Sequence, residues 1–428
     1  MNILMMTNTY KPILGGLERS IEIFTNEYRK RGHHVIIVTP RFKNMPKDEK
    51  DIVRVPALQN FNGTDFSVQL PIPAILSKVL KTFNPDIIHS HHPFLIGDAA
   101  LRVSALKEAP IVFTYHTSYE HNTHYVPGDS PALKRFVIRL ARGYANLCDH
   151  VFVPSESIGN QLLERGVRKP IDVVPTGIYV DQFSRGHGQR FRAFWNIPPG
   201  AFVVGYVGRV SLEKNLIFLA EAVAQFLLKS PGAYFLLVGQ GPLLKVIKTI
   251  YRNKGLSDRF ISTGALKGQS LIDGYHACDV FAFASHSETQ GLVLAEAMAC
   301  GLPVVAVNAP GVREIVADRK NGRLLNSDHG LEFSSALEWV AKSSLNKRKS
   351  LSRTALATAK RFSVDRCVER ALELYSEIIQ KGFSRRRSKK NPLGKTTRLM
   401  KTQWNLMVNL TGAGREAMIK RVPDSSEM

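Results

Sequence analysis

The sequence predicts an α/β protein made of two doubly wound parallel sheets in tandem. Three observations predict it. Short β-branched runs alternate with helical patterns almost throughout the chain. Hydrophobicity is nearly continuous inside those runs, as in parallel strands covered on both faces. The pattern restarts near residue 200, and 428 residues suit two domains of ordinary size.

In the first half, strands are expected at 2–6, 34–39, 87–89, 111–114 and 150–153. In the second half they are expected at 202–207, 233–238, 280–284 and 303–306. Between the halves lies SRGHGQRFRAFWNIPPG, polar and broken by Pro-Pro-Gly, which marks a linker over 176–200. The expected domains are 1–185 and 186–364, two Rossmann-like units facing a cleft. A last helix near 364–380 ends the second, with 365–381 able to pack back on the first. Residues 382–428 are read as a basic tail, disordered or membrane-associated, with a surface-seeking segment around 404–410. No internal repeat of 20–50 residues is visible.

Hydrophobic content of 44% and charged content of 22% are ordinary for a globular protein. No apolar run reaches the roughly 18 residues of a membrane span. MNILMMTNTYKP reads as a buried first strand rather than a secretory signal, so a cytoplasmic protein is expected. Cys148, Cys278, Cys300 and Cys367 are widely spaced and read as small apolar residues. The formal charge is +22, from 58 Lys and Arg against 36 acids. Residues 381–428 hold twelve cations against three acids and supply +9 of it. Such an excess favours a polyanionic surface, nucleic acid or an anionic leaflet.

Four stretches carry chemistry. SETQGLVLAEAMACGLPVVA, 287–306, reads as loop, helix and strand, with the helix starting near 290–292 and stopped by Gly301. Its open N-terminus is an anion site suited to a pyrophosphate. Glu288 then points at a sugar beside the phosphates, and Glu296, in the second turn, at a ribose diol. In VGRVSLEKN, Arg209 and Lys214 follow a strand at the carboxyl edge, where they can neutralise a diphosphate leaving group. Gly15 and Gly16 open a loop before the first helix and permit close backbone approach to a ligand, with Glu18 as a first-turn acid. His116 leaves a strand end in TYHTSYEHNTHY, facing the expected cleft. His121, His124 and the group His89, His91 and His92 lack a metal-binding frame and read as polar lining.

SPALKRFVIRLARGYANLCDH, 130–150, reads as an amphipathic helix with Pro131 in its first turn. Its cations Lys134, Arg135, Arg139 and Arg142 lie mainly opposite the apolar stripe, as on a helix lying on an anionic leaflet. An ordinary surface helix is the alternative.

In order along the chain, Gly-Gly near the start, His116 after a strand, Arg209 with Lys214, and Glu288 with Glu296 resemble the GT-B glycosyltransferases of family GT4 over roughly residues 1–381. TYHTSYEHNTHY and SETQGLVLAEAMACG look like the bacterial diacylglycerol glucosyltransferases. The resemblance implies a retaining hexosyltransferase moving glucose from UDP-glucose to a lipid such as diacylglycerol at the inner membrane face. The alternative is another donor, such as GDP-mannose, with a polyprenyl-linked or soluble acceptor. It further implies that Arg209 and Lys214 contact the diphosphate. Glu288 and the backbone of Gln290, Gly291, Leu292 and Val293 hold sugar and phosphate. Glu296 holds the ribose, and the backbone near Ala265 and Leu266 faces the uracil. His116 and Gly16 line the reacting sugar. The UDP-sugar is a co-substrate, and no metal or tightly bound cofactor is expected. The partners expected are this donor, the lipid acceptor and an anionic membrane surface.

Two other classes are disfavoured. The basic tail suits a nucleic-acid partner, but RNP, KH and helix-turn-helix signatures are missing, so none is expected. A hydrolase needs two carboxyls flanking one sugar, whereas Glu296 is placed at the ribose.

Overall fold

The computed structural model describes residues 1–13, 15–46, 49–58, 68–69, 74–121, 130–388 and 394–418. They form two compact units. One comprises Met1–Val174 with Val368–Met428, the other Pro175–Cys367.

In the first unit the chain runs β1 (Asn2–Met6), α1 (Gly16–Lys30), β2 (His34–Pro40) and β3 (Ile52–Val55), then the short pair β4 (Ala57–Leu58) and β5 (Val68–Gln69). It continues through α2 (Ala74–Thr82), β6 (Ile87–Ser90), α3 (Ile96–Lys107), β7 (Ile111–Thr114), α4 (Pro131–Leu147), β8 (His150–Val153), α5 (Glu156–Glu164) and β9 (Ile171–Val173). Seven of these strands form one parallel sheet in the order β3-β2-β1-β6-β7-β8-β9. Strand order reverses beside β1, the arrangement of a doubly wound sheet.

The second unit carries α6 (Val180–Phe183), α7 (Gly188–Phe194), β10 (Phe202–Val207), α8 (Leu216–Lys229), β11 (Ala233–Val238), α9 (Leu244–Asn253), β12 (Phe260–Gly264) and α10 (Gly268–His276). After these come β13 (Val280–Phe283), α11 (Leu292–Ala299), β14 (Val304–Val307), β15 (Gly322–Leu325), α12 (Gly330–Ala341) and α13 (Leu345–Arg361). Its six strands are parallel, in the order β12-β11-β10-β13-β14-β15. The expected α/β class, two parallel-sheet domains, is thus the one observed. Each sheet has its own apolar core: residues such as Leu4, Ile88 and Phe113 in the first, Val204, Leu236 and Phe281 in the second.

Two helices, α14 (Val364–Ser388) and α15 (Lys395–Met418), end the described chain. Within the first unit, the Tyr375 ring of α14 stacks on Phe152 at 5.8 Å, and its hydroxyl hydrogen-bonds His89 Nδ1. Arg370 Nη2 donates to Asp172 at 2.8 Å.

Of the two readings of the 382–428 tail, disordered or membrane-associated, the first needs correction over 395–418. That stretch is helical and packs on α3 and α4 through Leu406, Asn409 and Ala413. The charge run before it hid an amphipathic repeat with a buried side at 406, 409 and 413. Residues 419–428 lie outside the described residues.

Local chemistry sets the helix ends that matter. Ser130 caps α4, its hydroxyl accepting from the Leu133 N–H at 3.2 Å, with Pro131 in the first turn. Helix α11 starts after Gly291 in the left-handed conformation and ends before Gly301, which has φ +78°. Cys148, Cys278 and Cys367 are buried, Cys300 is partly exposed, and all four are free thiols.

Candidate functional site

In the second unit, the loop after β10 meets the loop after β13. Lys214 Nζ donates to Glu288 Oε1 at 2.6 Å. The hydroxyls of Ser285 and Ser287 both reach the Glu213 carbonyl, at 3.4 and 3.1 Å. These contacts stitch the cation-bearing loop to the residues that precede α11. Lys214 and the approach to that helix, both expected beside one diphosphate, are therefore in contact with each other.

Glu213 itself was not anticipated. Burial opposes its ionisation, yet the Ser211 hydroxyl 2.5 Å away, its own backbone N–H and the nearby Lys214 and Arg209 charges bring its net pKa below the usual carboxylate value. Arg209 is exposed on the same loop, and its carbonyl accepts from the Tyr206 hydroxyl at 3.0 Å. Ser-x-Glu next to Lys214 was the available signal, since a short acid–hydroxyl loop off a strand end commonly organises itself.

Gln290 plays a different part from its neighbours. Its side-chain amide donates to the Thr176 carbonyl at 2.7 Å and accepts from the Thr176 N–H at 2.8 Å, all buried. The side chain is thus a two-point clamp, which leaves only its backbone for a ligand. Behind it, Gly311 has φ +76°, and a Cβ there would lie 2.8 Å from the Gln290 nitrogen. Only glycine lets the two loops approach so closely. The N–H groups of Leu292 and Val293 belong to the first turn of α11, which has no acid to occupy it.

Glu296 is almost fully buried and accepts from the Tyr275 hydroxyl at 2.9 Å. Ala265 and Leu266 follow β12 directly, Ala265 exposed and Leu266 packed on the core edge.

In the first unit, Gly15 precedes α1 in an extended conformation and Gly16 is its first residue. The Glu18 carboxylate folds back over Gly15, where a Cβ would meet Glu18 Oε2 at 2.5 Å. Space around Gly16 is open. His116 leaves β7 as predicted, and its Nε2 lies 2.9 Å from His91 Nδ1 with the rings stacked at 5.2 Å. His91 in turn stacks on His89 at 4.2 Å, and His89 Nε2 lies 2.5 Å from the Thr114 hydroxyl. Burial pushes His89 and His116 down to about 3 and His91 well below the usual imidazole value, with neighbouring imidazoles adding to the shift of His89 and His91. His92 is also lowered to about 3, and its Nδ1 accepts from the Asn8 N–H at 3.1 Å. These imidazoles are neutral at physiological pH. Among the described residues no group of three or more His, Cys, Asp or Glu is placed to hold a metal. His124 and the side chain of His121 lie outside the described residues.

The α4 cations sit otherwise than expected. Arg139 Nε is 3.1 Å and Arg142 Nη2 3.4 Å from Glu416 of α15, and Arg135 Nη2 donates to the Ala417 carbonyl at 3.0 Å. Of these four cations only Lys134 is exposed, the others being half-buried. Helix α15 therefore covers much of the face that the sequence reading assigned to a membrane.

Known proteins match this arrangement. The profile described as Glycosyltransferase Family 4 matches residues 14–182, and that described as Glycosyl transferases group 1 matches 188–357. An alpha-monoglucosyldiacylglycerol synthase of Streptococcus pneumoniae is 29% identical over 89% of this chain and 86% of its own length. A D-inositol 3-phosphate glycosyltransferase of Saccharomonospora viridis is 31% identical over 69% of this chain and 70% of its own. The crystal structure of Anabaena HepE in complex with UDP superposes with a TM-score of 0.70 at 22% identity, covering 88% of this chain and 100% of that one. With two parallel-sheet units, cations on the loop after β10 and glutamates flanking the start of α11, the chain belongs to the family 4, group 1 glycosyltransferases of GT-B fold.

Proposed function

We propose that this protein is a retaining hexosyltransferase that moves glucose from UDP-glucose to a lipid acceptor, diacylglycerol being the best candidate, at the inner face of the membrane. The observation that carries this reading is the Lys214–Glu288 contact in front of the open end of α11. A diphosphate placed there gains an ammonium, the Arg209 guanidinium and free helix N–H groups. Negative charge on the diphosphate grows as the glycosidic bond breaks, so these contacts strengthen in the transition state.

In this reading Glu288 holds the sugar and orients Lys214. Glu296 takes the ribose, the backbone at Ala265 and Leu266 takes the base, and His116 and Gly16 line the sugar. The acceptor hydroxyl attacks the anomeric carbon on the face the diphosphate leaves. Its proton passes to the departing phosphate oxygen, so no carboxylate base is needed. The likeness to the pneumococcal alpha-monoglucosyldiacylglycerol synthase supports the lipid acceptor, and HepE, solved with UDP, supports the nucleotide.

The test is a donor panel of UDP-glucose, UDP-galactose and GDP-mannose with and without diacylglycerol, read by UDP or GDP release and product mass. Diacylglycerol-dependent UDP release, with product anomeric coupling matching the donor's, is the expected result. Release independent of lipid, or preference for GDP-mannose, would replace this reading with transfer to a polyprenyl-linked or soluble acceptor.

A further inference from the structure

Helix α15 has two faces of different fate. Its inner face, with Leu406, Asn409 and Ala413, is buried on α3 and α4. Asn409 Nδ2 donates to the Leu140 carbonyl at 3.1 Å, Gln403 accepts from Arg102 at 3.0 Å, and Glu416 pairs with Arg139. On the opposite side Met400, Trp404, Met407, Val408 and Met418 recur at helical spacing and stand in solvent, from 49% exposed at Val408 to 83% at Met418. Five large apolar side chains in one stripe are not ordinary surface scatter.

The charge around the stripe selects what covers it. Glu416 is the one acid in 395–418 and is turned toward α4, so the outward face presents no carboxylate. Lys401 and Arg415 are exposed on or beside the stripe. An apolar stripe headed by a tryptophan, flanked by cations and lacking acids, fits the headgroup boundary of an anionic bilayer.

We infer that the outer face of α15, with Met400, Trp404, Met407 and Val408, is a docking surface for anionic phospholipid, and that it takes this role in place of α4. This deepens the lipid-acceptor reading by naming the surface that meets the lipid. The surface lies on a helix anchored to the first unit, so docking needs no refolding of the chain.

The test uses the full chain and sedimentation with vesicles of equal phosphatidylglycerol and phosphatidylcholine, or of phosphatidylcholine alone. The wild type is expected to sediment with the mixed vesicles and about tenfold less with the neutral ones. The variant Trp404→Ser/Met407→Ser/Val408→Ser alters only outward-facing residues and should lose binding by about tenfold or more. Phe194→Ser, at a 78% exposed aromatic in the second unit, should bind as the wild type does. Equal sedimentation of the triple variant, or a wild type that stays in the supernatant, would overturn the inference. So would a wild-type dimer that the triple variant breaks while vesicle binding persists, since a second copy would then be the occupant. UDP release with detergent-dispersed diacylglycerol, measured separately, tests the acceptor. Its failure alone would remove the acceptor reading and leave the surface standing.

Discussion

Lys214 and Glu288 partly neutralise each other, and in the proposed function a donor diphosphate competes for the Lys214 charge. Lys214→Met should therefore lower kcat/KM for the donor by about a hundredfold or more, the scale of losing one preorganised charge contact, as steady-state UDP release would show. His91 is the residue whose part the sequence left unspecified. Its Nε2 is buried and has no hydrogen-bond partner among the described residues. A buried acceptor is cheaper to leave unmet than a donor, which places the His91 proton on Nδ1, donating to His116 Nε2. His116 then carries its own proton on Nδ1, at the other side of its ring. On this basis His91→Phe should lower kcat by about tenfold with little change in donor KM, and His91→Asn, whose amide stands in for Nδ1–H, should restore most of it. These imidazoles also govern acid stability. Native pKa values of about 3 for His89 and His116 lie under the unfolded value of about 6.5, so the unfolded chain binds more protons between those limits. Stability should be full above pH 6.5 and fall on acidification through that window, by up to about 1.4 kcal/mol per pH unit for each such histidine. Urea titrations at pH 7.5, 6 and 5 would measure this.

At the scale of elements, the strands legible in the sequence were the interior ones. β1, β2, β6, β7 and β8 in one sheet, and β10, β11, β13 and β14 in the other, all announce themselves by continuous apolar runs. The four larger strands that were missed, β3, β9, β12 and β15, are the sheet edges. An edge strand is paired on one side and half-exposed, so IVRV, IDV, FISTG and GRLL lack the hydrophobic signature. Helix α15 was missed for a related reason: its burial is one-sided and its sequence follows a dense basic run. Its seat is tight. A Cβ at Gly143 of α4 would fall 1.6 Å from Asn409 Oδ1. Gly143→Ala improves helix propensity in α4 by about 1 kcal/mol, yet it should displace α15. Faster cleavage by a Lys- and Arg-directed protease between α14 and α15, with near-normal helix content, would show this. Gln290→Ala should cost about 2 kcal/mol, because it removes the two buried hydrogen bonds to the Thr176 N–H and carbonyl.

For the molecule as a whole, two cores imply two folding transitions rather than one. If the donor sits on the second unit, UDP should raise one calorimetric transition and leave the other nearly still, by an amount that grows with the logarithm of nucleotide concentration. The site was legible where chemistry is written in local order, as in Lys214 near a strand end and Glu288 before a helix. What stayed hidden depends on partners distant in sequence: Gln290 closing on Thr176, and His91 meeting His116. No periodicity reports such pairs, because they arise only when separate strands are brought side by side.

The first unit is not contiguous in the chain, and this bears on how the protein is made. A ribosome delivers Met1–Val174 before the second unit and Val368–Met428 only after it. The second unit, Pro175–Cys367, emerges in between and can mature while the earlier sheet still lacks the Tyr375 ring that stacks on Phe152 and the helix that covers α4. The first unit is thus begun before the second and completed after it. A chain lacking residues 368–428 would be born with its second unit whole and its first unfinished.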